Sequence, residues 1–136
     1  DKNGGFDENF FLYFEETDYC NRSNKNNFKV YQINSQKVCH DTGTSVETFS
    51  EEESYKLKKL FRWHFIWSKF YFYKKKYGKL ISLMIFTPQF LRLIFRISLY
   101  TLNSNKEMRE KYLIRYNGLM TSVKGKKSSI RINDFS

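Results

Sequence analysis

The chain has 136 residues, with 24 Lys and Arg against 14 Asp and Glu for a net charge of +10; 40% of it is hydrophobic and 19% aromatic, with one Pro and six Gly. That aromatic load excludes a disordered, linker-like or collagen-like chain, and the length allows one domain or a piece of a larger one. Two cysteines, Cys20 and Cys39, are too few for a disulfide scaffold and point to a reducing compartment. The first residue is Asp1 and no secretory signal pattern follows it, so the true start is expected to be absent or processed.

The charge is divided between two halves. Residues 1–54 hold 5 Lys and Arg against 11 Asp and Glu, net −6, and residues 55–136 hold 19 against 3, net +16. An acidic half and a strongly basic, aromatic half suggest two jobs in one chain.

In chain order, a glycine turn and an apolar run precede Glu15, Glu16 and Asp18, which cluster where a helix can begin. The Asn-rich stretch at residues 24–27 ends that helix. Residues 28–33 (FKVYQI) are rich in β-formers and predict a strand; residues 37–40 (KVCH) predict a second, followed by a polar loop to Ser50. This is an α/β fragment, too small to bury a core by itself.

A long helix is predicted from Glu51 to about Lys79. Leu57, Leu60, Phe61, His64, Trp67 and Tyr71 share one face, and Trp63, Phe65, Phe70, Phe72 and Tyr73 occupy the other. A helix apolar all round needs apolar neighbours on two sides, one within the domain and one supplied by lipid or a partner. Gly78 breaks it. A second helix is predicted from Thr87-Pro88 to about Leu102, with Gln89, Arg92 and Arg96 as a narrow polar stripe. Fifteen residues reach about 22 Å, short of a bilayer core of about 30 Å, so this helix reads as interfacial rather than spanning. A third helix starts at a capping box, Ser104-x-x-Glu107, with Met108, Tyr112, Tyr116 and Leu119 as its buried stripe. The end, KGKKSSIRINDFS, is basic and reads as loose. The chain thus divides into an acidic segment (1–50), an aromatic and basic helical segment (51–103), and a short helix with a basic tail (104–136).

Three constellations carry chemistry. Crowded carboxylates raise one another's pKa, so Glu15, Glu16 and Asp18 are candidates for a general base; the plainer reading is an acidic helix start. His40, between an apolar pair and a polar loop, suits a metal or phosphate ligand, or an ordinary hydrogen-bonded histidine. A zinc site from Cys20, Cys39, His40 and His64 lacks the usual short ligand spacing. The block from Lys56 to Lys79 combines nine cations with stacked aromatics, a pattern shared by single-strand nucleic-acid binders and by helices lying on anionic membranes. Continuation into the apolar helix that follows favours the membrane over nucleic acid. The membrane-facing candidates are Arg62, Trp63, Trp67, Lys69, Tyr71, Tyr73, Lys74, Lys75, Lys76, Arg92 and Arg96.

The stretch GGFDENFFLYFEETDYCNR resembles the C-terminal catalytic segment of family 2 glycosyltransferases, in their bacterial rhamnosyltransferase-like branch. VCHDTGTS is similar to their V-x-H-x-G-x-S segment, and RWHFIWSKFYFYKKKYG to the aromatic, basic helix after their catalytic domain. The resemblance implies the C-terminal portion of a GT-A, Rossmann-like α/β domain with a helical extension, and an inverting enzyme that moves a sugar from a nucleotide-sugar donor to a lipid-linked or polysaccharide acceptor in cell-surface glycan synthesis. It implies Glu16 as the base, where the family has Asp, with Glu15 and Asp18 orienting the acceptor or tuning the base. Gly4, Gly5, Phe6 and Asp7 would face donor and acceptor. His40 would help hold a divalent cation, Mg²⁺ or Mn²⁺, whose other ligands lie outside this chain. The implied location is peripheral, at the cytoplasmic face of the membrane. The donor-binding half and its D-x-D have no counterpart here, so the chain is expected to be the tail of a longer enzyme and inactive alone.

Overall fold

A computed structural model describes residues 3–37 and 50–135. Four helices form within them: α1 (Glu15–Lys25), α2 (Glu51–Tyr77), α3 (Lys79–Leu102) and α4 (Lys106–Val123), with a single 3₁₀ turn at Ile132–Phe135. Helix α2 is the spine, and its ends follow from local chemistry. The Ser50 side chain accepts the Glu53 amide at 3.1 Å, Glu51, Glu52 and Glu53 fill the first turn, and Lys74, Lys75 and Lys76 fill the last, each complementing the helix dipole.

One residue separates α2 from α3. Gly78 has φ 82° and ψ 166°, a region open essentially to glycine alone. Its amide bonds the Lys74 carbonyl at 3.0 Å, and its own carbonyl receives the Ser82 amide at 3.2 Å and the Ser82 hydroxyl at 2.8 Å. The same residue therefore ends one helix and begins the next. The predicted start at Thr87-Pro88 is corrected: α3 begins at Lys79 and runs through Pro88. Proline withholds one amide from the helix, but Phe86 and Leu93, on either side of it, are both buried in the core and keep the two halves in one helix. The Thr87 hydroxyl bonds back to the Leu83 carbonyl at 2.8 Å.

Helix α4 is capped one residue later than predicted. The Asn105 side chain accepts the Met108 amide at 3.0 Å, while Ser104 sits in the left-handed region at φ 52°. Helix α4 packs on both α2 and α3, and Ile66, Phe70, Phe86, Leu93 and Leu119 meet in one core. Two small residues let α4 approach α2 closely. A Cβ on Gly118 would lie 2.6 Å from the Trp63 carbonyl oxygen, and the Ser122 hydroxyl donates to the Trp67 carbonyl at 3.0 Å.

The segment before α1 lies along α2. Phe10 meets Tyr71 edge-on at 4.9 Å, and the Ser68 hydroxyl donates to the Leu12 carbonyl at 2.7 Å. Tyr13 and Phe14 take left-handed φ values of 67° and 71°, which cost about 1–2 kcal/mol each in residues of this size. Their rings pack on α2, Tyr13 against Phe61 and Phe65, and Phe14 against Phe65 and Phe72.

The expected α/β class, and with it the GT-A portion, is overturned: the described residues are all-helical and contain no strand. Residues 28–33 leave Phe28, Val30, Tyr31 and Ile33 exposed. A strand needs a neighbour to pair its backbone groups, and no described segment offers one, so β-forming side chains alone do not make it. The other predicted strand falls, beyond Lys37, outside the described residues, as do Cys39 and His40.

The C-terminal tail is also corrected. It is strapped over α2: the Trp67 indole donates to the Lys126 carbonyl at 3.1 Å, and His64 is held by Ser128 at 2.8 Å and by the Ile130 carbonyl at 3.0 Å.

Candidate functional site

The acidic half supplies one polar cluster. Lys75, near the end of α2, donates to Asp7 at 2.7 Å and to Asp18 at 2.8 Å. Asp18 is 1% exposed and also receives the Arg22 Nε at 2.9 Å, an i,i+4 pair on α1. Arg22 turns its remaining donors to the Asn3 carbonyl and, at 2.7 Å, to the Gly5 carbonyl. The Tyr71 hydroxyl completes the cluster on Asp7 at 3.1 Å. Burial alone would raise the Asp7 carboxyl, but hydrogen bonds from Lys75 and Asn9 outweigh it and hold the group at about 2. Burial and the neighbouring Asp7 push the Tyr71 hydroxyl up to about 12. The cluster is closed by matched charges and pins the N-terminal segment to α2.

The candidate catalytic residues separate. Asp18 is spent on Arg22 and Lys75, and Glu16 is exposed on α1. Glu15 has a buried Oε2 with no hydrogen-bond partner among the described residues. Gly4, at φ 61°, and Gly5 form the turn that Arg22 grips; Phe6 is exposed and leans on Tyr19 at 5.3 Å. No group of three or more His, Cys, Asp or Glu is placed to hold a metal among the described residues. The two carboxylates that converge, Asp7 and Asp18, already face Lys75, so what is described here does not fit a divalent cation. His64 is 0% exposed and both ring nitrogens are engaged; burial lowers its pKa and favours the neutral ring, a structural role.

The membrane-facing candidates divide in the same way. Trp63 and Trp67 lie inside, at 1% and 2% exposure, and Tyr71 stacks on Trp67 at 4.9 Å. Tyr73 borders the core against Phe86. Lys75 is committed to the two aspartates; Lys69 lies over the Phe86 ring and Lys74 over the Tyr71 ring. Lys76 and Arg92 are exposed, and Arg96 bonds the Tyr100 hydroxyl at 3.3 Å. Arg62 lines a pocket with Arg115.

A line of exposed apolar side chains lies elsewhere. Leu80, Met84, Leu91, Phe95 and Leu102 on α3 are exposed, Leu91 at 60%, Phe95 at 63% and Leu102 at 82%, and Ile81, Ile85 and Ile94 flank them. The spacing alternates between four and seven residues, which keeps these side chains within one narrow stripe of the helix. The buried Ser82, Phe86 and Leu93 occupy the opposite side. Breaking the helix at Thr87 divides this stripe between two elements, which is why sequence reasoning missed it.

Comparison with protein-family models, with curated proteins and with solved structures finds no match to the chain. The resemblance to family 2 glycosyltransferases is therefore corrected on two grounds, the absent family match and an all-helical fold where a GT-A domain has a nucleotide-binding sheet.

Proposed function

We propose that this chain docks on an anionic membrane surface, with the outer line of α3 in the lipid and the basic half against the headgroups. The supporting observation is that line of exposed apolar side chains on a helix whose opposite face is already buried. Helix α3 has 24 residues and an 18-residue stretch of mean hydropathy 1.5, long and apolar enough on those criteria to cross a membrane, at about 36 Å against a core of about 30 Å. Its partner argues for lying flat. Helix α4 carries Lys106, Glu107, Arg109, Glu110, Lys111 and Arg115, and a spanning α3 would draw these charges into hydrocarbon. The +16 of residues 55–136 suits a leaflet rich in anionic lipid, which supports docking from the cytoplasmic side.

The test is cosedimentation with vesicles. The chain should bind vesicles containing anionic lipid, and high salt should weaken binding. Leu91→Glu with Phe95→Glu should lower binding by tenfold or more while leaving the melting temperature unchanged, because both side chains are exposed. Binding that is insensitive to salt on neutral lipid refutes the electrostatic part, and full binding by the double variant refutes the role of α3.

A further inference from the structure

A half-buried pocket of about 270 Å³ opens where three helices and the N-terminal segment converge. Arg62 of α2 and Arg115 of α4 line it together with Gln89 of α3 and the rings of Tyr13, Phe61 and Phe65. Two arginines thus border one cavity, and no carboxylate among the described residues lines it. Neither arginine forms a salt bridge among the described residues. The carboxylate whose field reaches Arg62 is Glu110, and it is already occupied by Lys59 at 2.7 Å and by the Tyr55 hydroxyl. The aromatic side is organised: Tyr13 meets Phe65 edge-on at 5.5 Å and Phe61 at 6.3 Å.

Like charges facing one cavity repel, and an anion between them converts that repulsion into two charge-assisted contacts. Guanidinium forks match the oxygens of a phosphate in pairs. The Gln89 amide adds a neutral donor, and the three rings offer a wall to whatever the phosphate is attached to. We infer that the pocket bordered by Arg62, Arg115 and Gln89 binds a phosphate group, carried on a lipid headgroup or free in solution. Gln89 belongs to the same helix as the proposed lipid-facing line, but the pocket stands on its own residues and can be tested without a membrane.

The experiment follows the side-chain Nε–H resonances of Arg62 and Arg115 in the full chain. Inorganic phosphate is titrated against chloride at equal ionic strength, and in a second arm water-soluble dihexanoyl phosphatidate is used. Saturable shifts at both arginines with either probe, and none with chloride, are expected. A response to inorganic phosphate identifies the free anion as sufficient; a response to the short-chain lipid alone identifies a headgroup whose body needs the aromatic wall. Arg62→Gln and Arg115→Gln should each weaken binding at least about tenfold, the scale of one lost charge-assisted hydrogen bond. Arg62→Lys, which keeps the charge and loses the fork, should fall between. Lys124→Gln with Lys126→Gln, in a different surface pocket, should leave the shifts intact. No saturable shift with either probe, an equal response to chloride, or unchanged affinity in folded Arg62→Gln and Arg115→Gln overturns the inference. Vesicle binding by α3 is scored separately. Its loss with the shifts retained removes the docking reading alone, and the reverse removes the pocket alone.

Discussion

Lys75 brings one positive charge to two carboxylates, Asp7 and Asp18, and this arrangement makes the N-terminal segment sensitive to acid. The Asp7 carboxyl titrates at about 2 in the folded chain against an ordinary 3.8, so the unfolded chain takes up its proton first as pH falls. Its contribution is complete above the ordinary value and is lost as pH drops from about 4 to about 2. Denaturant melts across that window should show stability falling with pH, and Asp7→Asn should flatten that part of the slope. Gly118 makes a different kind of prediction. Alanine is ordinarily the better helix residue by about 1 kcal/mol, but here its methyl meets the Trp63 carbonyl oxygen at 2.6 Å and the Ile66 Cγ2 at 2.7 Å. A backbone oxygen moves only if α2 moves, so overpacking at about 1–3 kcal/mol wins. Gly118→Ala should lower the melting temperature by several degrees in a thermal scan; an increase would mean that the two helices separate at little cost.

The elements differ in how well the residues announce them. The extent of helix α2 was legible, from Glu51 to the break at Gly78, but which of its aromatics turn inward was not: Trp63 and Trp67, expected at a membrane, are buried, because a helix apolar all round carries no stripe to mark its inner side. Tyr112, Tyr116 and Leu119 were also legible as the inner side of α4, whereas Gly118 and Ser122 were not, since small residues at a close crossing leave no hydrophobic signal. Helix α3 was misjudged because Thr-Pro reads as a start, and only packing across Phe86 and Leu93 carries the helix through it. The pocket was out of reach for another reason: Tyr13, Arg62, Gln89 and Arg115 come from four separated stretches, and no local pattern joins them. Pro88 offers a direct check on the α3 account. It is exposed and deprives the Met84 carbonyl of its helical donor, so Pro88→Ala should restore that bond and raise stability by as much as about 3 kcal/mol, read from denaturant midpoints. A loss of stability would mean that α3 depends on the geometry proline imposes.

At the scale of the whole molecule, α2, α3 and α4 share one core and the basic tail closes over α2. Lys126, Ser128 and Ile130 supply the partners that Trp67 and His64 use, so removing residues 125–136 leaves an indole and an imidazole without them. Buried polar groups stripped of partners cost about 1–3 kcal/mol each. The truncated chain should melt several degrees lower and its tryptophan emission should shift to the red as Trp67 meets water; an unchanged spectrum would show that the strap is dispensable. The charge division has a matching physical sense. The acidic half attaches to α2 through Asp7 and Asp18, while most of the basic half stays at the surface, where the proposed headgroup contacts require it.

That strap has a consequence for how the chain is made. Trp67 meets its carbonyl partner 59 residues later in the sequence, and His64 meets the Ile130 carbonyl 66 residues later. A ribosome delivers α2 well before either. During that interval the aromatic side of α2 stands uncovered outside the exit tunnel, a surface of the kind that holdase chaperones grip. Native closure then waits for residues 126–130 to emerge, and a pause in translation before Lys126 prolongs the period in which the nascent chain is vulnerable to mispairing.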